Sequence, residues 1–252
     1  MQPRKRWIPL RGMVVVLMVV WLVALTWRAG AQGGTTVRLS VADDGTEGNL
    51  VSGGPAISGN GCYIAFQSSA NNLVGGDTNA IADVFVRDCT TGQLSLVSVS
   101  SNGTQGNGAS HLPAISDDGR FVAFHSFASN LISGDTNQSR DIFVHDREVG
   151  TTTRVSVSSA GTQAVTDSGD PAISGNGRYI AFSSWAPNLV AQDTNGDPDV
   201  FVHDRQTSET RRVSVSTLGT SCNWGPITRC LWHASSSATK AMPGIRRSAF
   251  NR

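Results

Sequence analysis

Alternating hydrophobic and polar positions recur three times along the chain, and the second copy shows the pattern best. It opens with the small residues PAIS (113–116), turns at Asp117-Asp118-Gly119, and continues as RFVAFHS (120–126). Successive side chains of a strand point to opposite faces, and both faces of RFVAFHS are apolar. The pattern predicts a short inner strand, a tight turn with glycine at positive φ, and a strand covered on both sides.

The rest of the repeat predicts two more strands. A polar loop, FASNLISGDTNQSR (127–140), leads into DIFVHD (141–146), which is again apolar on both faces. REVGTTT (147–153) has the composition of a turn region. RVSVSS (154–159) alternates valine and serine, as an outer strand with one wet face would. Each repeat is therefore predicted to contain four strands, with the middle two buried on both faces.

The copies recur with a fixed period. PAISGNGCYIAF (55–66), PAISDDGRFVAF (113–124) and PAISGNGRYIAF (171–182) are spaced by 58 positions, without insertion or deletion. Such a period is typical of a repeat architecture. A lone four-stranded sheet cannot bury both of its faces, but radially packed sheets can, and that arrangement is a β-propeller. We therefore predict an all-β propeller of four-stranded antiparallel blades.

The extent of the repeats predicts a partial ring. We expect the propeller to occupy 32–220, with blades at about 55–101, 113–159 and 171–217. An outer strand at 37–42 precedes them, because its sequence aligns with the outer strands of the repeats. Closed propellers have four to eight blades, so two apolar blade faces would stay uncovered. We expect residues 32–220 alone to self-associate through these faces or to be poorly soluble.

The motifs themselves resemble a known family. Pro-x-x-Ser-x-x-Gly-Arg-aromatic-x-Ala-Phe, followed by Asp-x-Phe-Val-x-Asp, resembles the TolB-like, WD-like β-propeller repeat across residues 38–220. The resemblance implies an exported propeller of the bacterial type. Two features depart from the family. The turn lacks the proline of the usual Ser-Pro-Asp-Gly, and the period exceeds the roughly 40–45 residues of WD-type blades because the Asp-Thr-Asn loop is longer.

The N-terminus predicts export. A basic stretch (4–11), an uncharged run of 15 residues (Met13 to Trp27) and the small residues Ala29-Gly30-Ala31 follow one another as in a secretory signal peptide. The run falls short of the ~18–20 residues that a spanning helix needs, so cleavage is favoured over an uncleaved anchor. We predict a signal peptide at 1–31 and no stable membrane span after cleavage. The mature chain is then secreted, periplasmic or in the cell envelope.

The C-terminal segment 221–252 does not continue the repeat. The register predicts a proline at position 229, where the chain has Arg229, and the segment is basic without an acidic residue. It is either a true extension or the product of a frameshift or truncation in a longer propeller gene. The change is abrupt, which favours the second interpretation.

Charge narrows the class of partner. Residues 32–220 carry ten arginines, no lysine and 19 acidic residues, for a net charge of −9. Nucleic acid needs a basic face, so we expect no nucleic-acid partner. The acidic balance leaves room for cations.

The Asp-Thr-Asn loops are the candidate metal sites. Oxygen ligands at alternate positions of a tight loop can converge on Ca²⁺, and the third copy offers four of them. Turn capping by Asp and Asn is the alternative. The candidates are Asp77, Asn79 and Asp83 in the first copy, Asp135, Asn137 and Asp141 in the second, and Asp193, Asn195, Asp197 and Asp199 in the third. Calcium is the only cofactor that the sequence indicates.

Cys62 and Cys89 are a candidate disulfide. Cys62 opens one buried strand of the first repeat and Cys89 follows the other. If these strands are antiparallel neighbours, the two residues lie side by side, and a bridge is geometrically reasonable. Disulfides are permitted outside the cytoplasm. Two independent free thiols are the alternative.

The sequence does not favour a catalytic function. His145 and His203 occupy equivalent places in two repeats, but no G-x-S-x-G nucleophile elbow is present, so we interpret them as rim contacts. The sequence favours a non-enzymatic exported propeller that binds a protein, glycan or other ligand. One alternative is a calcium-stabilised cell-surface or envelope structural protein. The other is the propeller fragment of a larger hydrolase that lacks its catalytic domain.

Overall fold

The computed structural model describes residues 36–215, and every regular element in that range is a β-strand. All the strands belong to one compact unit that begins at residue 39. The strands are β1 (Ser52–Ile57), β2 (Tyr63–Ser68), β3 (Asp83–Asp88), β4 (Leu94–Leu96), β5 (Ser110–Ile115), β6 (Phe121–Ser126), β7 (Asp141–Asp146), β8 (Thr151–Arg154), β9 (Ser168–Ile173), β10 (Tyr179–Ser184), β11 (Asp199–Asp204) and β12 (Glu209–Arg212).

The strands form three antiparallel four-stranded sheets, each in sequence order. We call them blade 1 (52–96), blade 2 (110–154) and blade 3 (168–212). Their registers are equivalent, so the two phenylalanines of the central strands pair in every blade. The ring centroids of these pairs are 5.8, 6.0 and 5.8 Å apart. The predicted all-β blades are confirmed, and the ring is not closed within the described residues.

A bulge interrupts the first strand of each blade. In blade 2 the register shifts between His111 and Ala114, and the residues between them are Leu112 and Pro113. Proline cannot donate to a strand ladder, so the strand bulges there. Leu112 has a φ of +49°. Because of this bulge each inner strand starts three residues earlier than the PAIS motif, and each blade starts earlier than predicted.

Packing between neighbouring blades forms the core. Ala65, Val84 and Val86 of blade 1 pack against a blade 2 face that includes Val122 and Phe124, and all five are fully buried. The same contact recurs between blades 2 and 3 through Ala123, Ile142, Val144, Ile180, Phe182 and Phe201. The prediction that the central strands are buried on both faces is thus confirmed, because each blade covers its neighbour.

The turns at one end of the blades interlock through glycine. Gly177, in the β9–β10 turn, has a φ of +71°, and a Cβ atom there would lie 2.1 Å from the Phe121 ring of blade 2. Arg205 of blade 3 lies over the same ring at 4.3 Å and donates to the Gly177 carbonyl at 2.8 Å. Gly119, Tyr63 and Arg147 repeat this arrangement between blades 1 and 2.

The fourth strand differs from the prediction. In blade 2 it is β8 (Thr151–Arg154), so the segment expected as an outer strand, 154–159, begins where the strand ends. Val155 and Ser156 are both buried, and Ser156 donates to Asp141 at 2.5 Å, so the predicted wet face is wrong. The chain leaves the sheet here because it must cross to the next blade. Val157 then bridges to Gln163 in the connection.

The predicted outer strand at 37–42 is also wrong. Val41 forms only an isolated bridge with Glu47, as Val99 and Val157 do at equivalent places. Asp43 accepts the Leu94 backbone N–H at 2.9 Å. Residues 39–48 therefore resemble the connections that lead into blades 2 and 3, and they align with the repeat for that reason. They lie against blade 1 through Asp43.

Several sequence predictions remain open in this structure. The signal peptide at 1–31 and the tail at 221–252 lie outside the described residues. Within 36–215 no helix is long and apolar enough to cross a membrane. Ile57 is 65% exposed, whereas its blade 2 counterpart, Ile115, is 9% exposed against blade 1. Self-association through the blade 1 face that holds Ile57 stays a prediction.

Candidate functional site

The Asp-Thr-Asn loops connect the second and third strands of each blade, and the structure brings the two end aspartates of each loop together. In blade 3 the Nη1 atom of Arg212 lies 3.0 Å from Asp193 and 3.0 Å from Asp199. All three side chains are at least nine-tenths buried. A guanidinium thus lies between the two carboxylates, and the loop that offers the most oxygen ligands in the sequence already holds a positively charged side chain.

Blade 2 has the same arrangement. The Arg154 Nη1 atom lies 3.3 Å from Asp135 and 3.2 Å from Asp141. Asp141 is fully buried, and Ser156 donates to its second oxygen. Burial raises the pKa of both carboxyls, while the charge of Arg154 lowers it. The two repeats therefore share a buried Asp–Arg–Asp cluster that ties the loop to the end of the fourth strand.

The asparagines of these loops stabilise the loop backbone. The Asn137 Oδ1 atom accepts the Ser139 N–H at 3.0 Å, and its amide donates to the Ala164 carbonyl at 2.8 Å. Asn79 and Asn195 accept backbone N–H groups two residues later in the same way, and the donor to Asn195 is Asp197. These are Asx turns. Residues 36–215 contain no group of three or more His, Cys, Asp or Glu side chains arranged to hold a metal.

Blade 1 is different, because Leu96 stands where the other blades have arginine. The two carboxylates are bridged instead by the neutral amide of Gln105, whose Nε2 lies 2.8 Å from both Asp77 and Asp83. Asp77 is 6% exposed and its Oδ2 atom has no hydrogen-bond partner, while Asp83 is fully buried. Burial raises the pKa of Asp83, and the Asp77 charge adds to the effect.

Cys62 and Cys89 lie on neighbouring strand ends of blade 1. The Cys89 N–H donates to the Cys62 carbonyl at 2.8 Å, as expected for antiparallel neighbours. Both thiols are free in this structure, and the disulfide stays a prediction. Burial raises the pKa of the Cys89 thiol, and the charge of Asp88 raises it further.

His145 and His203, which occupy equivalent positions in blades 2 and 3, form hydrogen bonds that hold the connection from the preceding blade. His145 Nδ1 lies 2.8 Å from the Thr152 hydroxyl, which donates in turn to the Val99 carbonyl in the connection from blade 1. Since the hydroxyl proton is used there, Nδ1 is the donor to Thr152. His203 and Thr210 repeat the contact with the Val157 carbonyl. Burial lowers the pKa of both histidines.

A second set of residues gathers where blades 2 and 3 meet, and only its exposed aromatic position, Phe127 and Trp185, is shared by two repeats. Arg140 donates through Nε to the Ser168 carbonyl at 3.0 Å, and its backbone N–H donates to Asp167 at 2.9 Å. Its guanidinium lies 5.9 Å from the ring centroid of Phe127. The backbone N–H of Trp185 donates to the Asp167 carbonyl at 3.2 Å. These contacts form a continuous row across two blades.

Two histidines of blade 2 extend this row. The rings of His111 and His125 are 5.7 Å apart. His125 is 4% exposed, and its Nδ1 atom has no partner among the described residues. Burial lowers the His125 pKa to about 4, and the charge of Arg140 contributes. We define the blade 2–3 patch by His111, His125, Phe127, Arg140, Asp167 and Trp185.

Sequence reasoning missed this patch, although the repeat alignment carries a signal for it. Arg140 corresponds to Ala82 and Pro198 in the other repeats, and His125 corresponds to Gln67 and Ser183. Residues that serve the fold recur every 58 positions, so residues that do not recur are free to serve another purpose. Only the tertiary structure shows that these positions lie together.

Stability should fall in acid because of His125. Its pKa is about 4 in the folded chain and about 6.5 when unfolded, so the unfolded state binds the proton first. Stability is then lost as pH falls from about 7 towards 4, by about 2–3 kcal/mol from this group. His125→Gln, which installs the blade 1 residue, should flatten the difference in urea unfolding between pH 7.5 and 4.5. An equal loss in both proteins would contradict the assignment.

The three stacked four-stranded sheets define the chain as an all-β protein built of propeller-type blades, with no ring closure in the described part. No family model and no curated protein sequence matches the chain. Among solved structures, TolB from Acinetobacter baumannii is 19% identical with a TM-score of 0.42, and the match covers 68% of this chain and 34% of that one.

Two further structures show the same level of likeness. A putative TolB from Agrobacterium tumefaciens is 18% identical with a TM-score of 0.43, over 65% of this chain and 49% of that one. The β-propeller domain of the Trilobed protease from Pyrococcus furiosus is 14% identical with a TM-score of 0.42, over 66% and 43%. The match spans less than half the length of each of these three structures.

Proposed function

We propose that this chain is an exported, non-enzymatic propeller module that binds a protein ligand at the blade 2–3 patch. The observation that carries the proposal is a pair of exposed aromatic side chains at the boundary of blades 2 and 3, one of which, Phe127, lies beside Arg140. Phe127 is 52% exposed and Trp185 is 54% exposed. Side chains as large and as exposed as these contribute little to the core of either blade. Each follows the second strand of its blade, so both lie at the same end of the strands.

The chemistry of the patch favours a protein over a glycan. Tryptophan, arginine and other aromatic residues contribute most to protein–protein binding energy. The Arg140 guanidinium forms no ion pair with a described carboxylate, so its Nη atoms are available to an acidic or carboxyl-terminal group of a ligand. The neighbouring Asp167 carboxylate accepts a hydrogen bond from the Arg140 backbone N–H rather than from its guanidinium.

A non-enzymatic role is supported by the use of the repeated histidines. His145 and His203, the two candidates for a general base in the sequence, are buried and bonded to threonines that hold the connection from the preceding blade. The export part of the proposal rests on residues 1–31.

Binding should be tested by comparing captured partners across variants. The variant set replaces Phe127 with serine and Arg140 with alanine, the blade 1 residues at those positions, and Trp185 with serine. Val149→Ala is the control, because Val149 is 61% exposed in the turn at the opposite strand ends. A partner from the native envelope fraction should bind wild type and control alike and lose about tenfold or more with each patch variant.

Equal capture by the patch variants and the control would overturn the proposed site. Loss of binding on removal of glycans from the captured partner would overturn the choice of a protein ligand. Folding of each variant is checked by its urea midpoint, so that loss of binding is not confused with loss of structure.

A further inference from the structure

We propose that blade 1 binds a calcium ion between Asp77 and Asp83, in the place that an arginine side chain occupies in the other two blades. The site is separate from the blade 2–3 patch, and the inference stands whatever ligand that patch takes. It also differs from the expectation of the sequence, in which the third loop was the strongest candidate.

The comparison between repeats is the first observation. Blades 2 and 3 each neutralise their two buried aspartates with Arg154 or Arg212, which ends the fourth strand. Blade 1 keeps both aspartates and replaces the arginine with Leu96. No described cationic side chain pairs with either carboxylate of blade 1. Buried carboxylates are costly without a counter-charge.

The second observation is an unsatisfied oxygen. Asp77 is only 6% exposed, and its buried Oδ2 atom has no hydrogen-bond partner. Its other oxygen shares the Gln105 amide with Asp83, so the two carboxylates face the same small volume. Buried polar atoms are otherwise almost always satisfied. An ion that binds both carboxylates would complete the coordination that the protein leaves open.

Two further polar side chains lie next to the carboxylates. Ser98 donates to Asp83, and the Gln105 Oε1 atom accepts from the Thr78 backbone. In blade 2 the side-chain amide of the corresponding Gln163 instead donates to the Thr136 hydroxyl at 2.7 Å. Arg154, and not the glutamine, contacts the two carboxylates there. The same orientation of Gln105 would open the space between Asp77 and Asp83.

A cleft with three aspartates in its lining lies beside the site. A cavity of about 440 Å³ is lined by Asp77 together with Asp43, Asp44, Asn71 and Asn72. A cation can enter along this lining and keep water molecules as ligands. Calcium fits this mixture, because it takes six to eight oxygen ligands in irregular geometry, whereas magnesium requires a near-ideal octahedron. Sites of this kind in extracellular modules bind calcium at about 10⁻⁴–10⁻³ M.

The test is a calcium titration of the EDTA-treated full chain, followed by thermal unfolding and by calorimetry. We expect Ca²⁺ at about ten times its dissociation constant to raise the Tm by about 3–6 °C. Asp77→Asn should remove the shift. Leu96→Arg, which restores the residue of the other blades, should raise the Tm without calcium and also remove the shift.

Asp193→Asn in blade 3 is the matched control. It breaks the equivalent aspartate pair beside Arg212, so it should lower the Tm yet keep the full calcium shift. The inference is overturned if wild type gives neither heat nor a Tm shift with millimolar calcium. It is equally overturned if Leu96→Arg keeps the shift, or if NaCl of equal ionic strength reproduces it.

Discussion

Replacing Arg154 with leucine should lower the free energy of unfolding by about 3–5 kcal/mol, because it leaves two buried carboxylates without their partner. Arg154 is the only cation that contacts Asp135 and Asp141 within the described residues. The substitution gives blade 2 the residue that blade 1 has at this place. Urea unfolding at pH 7 measures the loss, with the m-value checking that the unfolding transition is unchanged.

The loss should depend on pH and on the carboxylates. Burial already raises the pKa of Asp135 and Asp141 in the folded chain, and loss of the arginine charge raises it further. The deficit relative to the wild type therefore grows as pH rises from about 4 to 7. Adding Asp135→Asn and Asp141→Asn to Arg154→Leu removes both charges and should recover most of the stability. A deficit under about 1 kcal/mol, or one that the asparagines do not relieve, would refute this account of the cluster.

Replacing Gly177 with alanine should destabilise the chain by about 2–5 kcal/mol. The residue has a φ of +71°, which costs an L-residue roughly 1–2 kcal/mol, and its Cβ would lie 2.1 Å from the Phe121 ring. Relieving that overlap requires blades 2 and 3 to separate at one end, which adds about 1–3 kcal/mol. Thermal or urea unfolding provides the measurement.

Gly61→Ala separates the two causes. Gly61 is the blade 1 counterpart, with a φ of +72°, but a Cβ there would meet nothing within 4 Å. It should therefore lose only the backbone contribution, about 1–2 kcal/mol. Equal losses at Gly61 and Gly177 would show that the contact between blades contributes little. A larger loss at Gly177 supports the packing that the structure shows.

The repeat structure was predictable because it depends on local pattern and period. Both faces of RFVAFHS (120–126) and DIFVHD (141–146) are apolar, and such strands are stable only between neighbouring sheets. The fourth strand was misplaced for a physical reason. The alternation of valine and serine in 154–159 looks like a half-exposed strand, but Ser156 is buried and bonds to Asp141. Hydrophobicity alone cannot separate a solvated serine from one satisfied inside the protein.

The candidate sites show the same limit. The aspartates of the long loops were visible in the sequence, and calcium binding or turn capping were the two interpretations that they allowed. What the sequence did not show is that Arg154, 13 positions after Asp141, returns to the same carboxylate. The third loop appeared richest in ligands, yet Arg212 fills it. Asp77 and Asp83 of blade 1 differ from the other aspartate pairs because Leu96 replaces the arginine. This difference can be recognised only when the position of the fourth strand is known.

By itself the sequence determined the fold class, the number of strands in each blade and the burial of the central pair, because strand periodicity and a 58-residue period are properties of neighbouring positions. Only the tertiary structure decided which charges meet and which polar atoms stay unpaired. It placed a guanidinium between two aspartates in blades 2 and 3, left Asp77 Oδ2 unsatisfied in blade 1, and gathered Phe127, Arg140 and Trp185 at one boundary. Electrostatic and hydrogen-bond satisfaction depend on distances of a few ångström between residues far apart in the chain, and those distances are set when the blades pack.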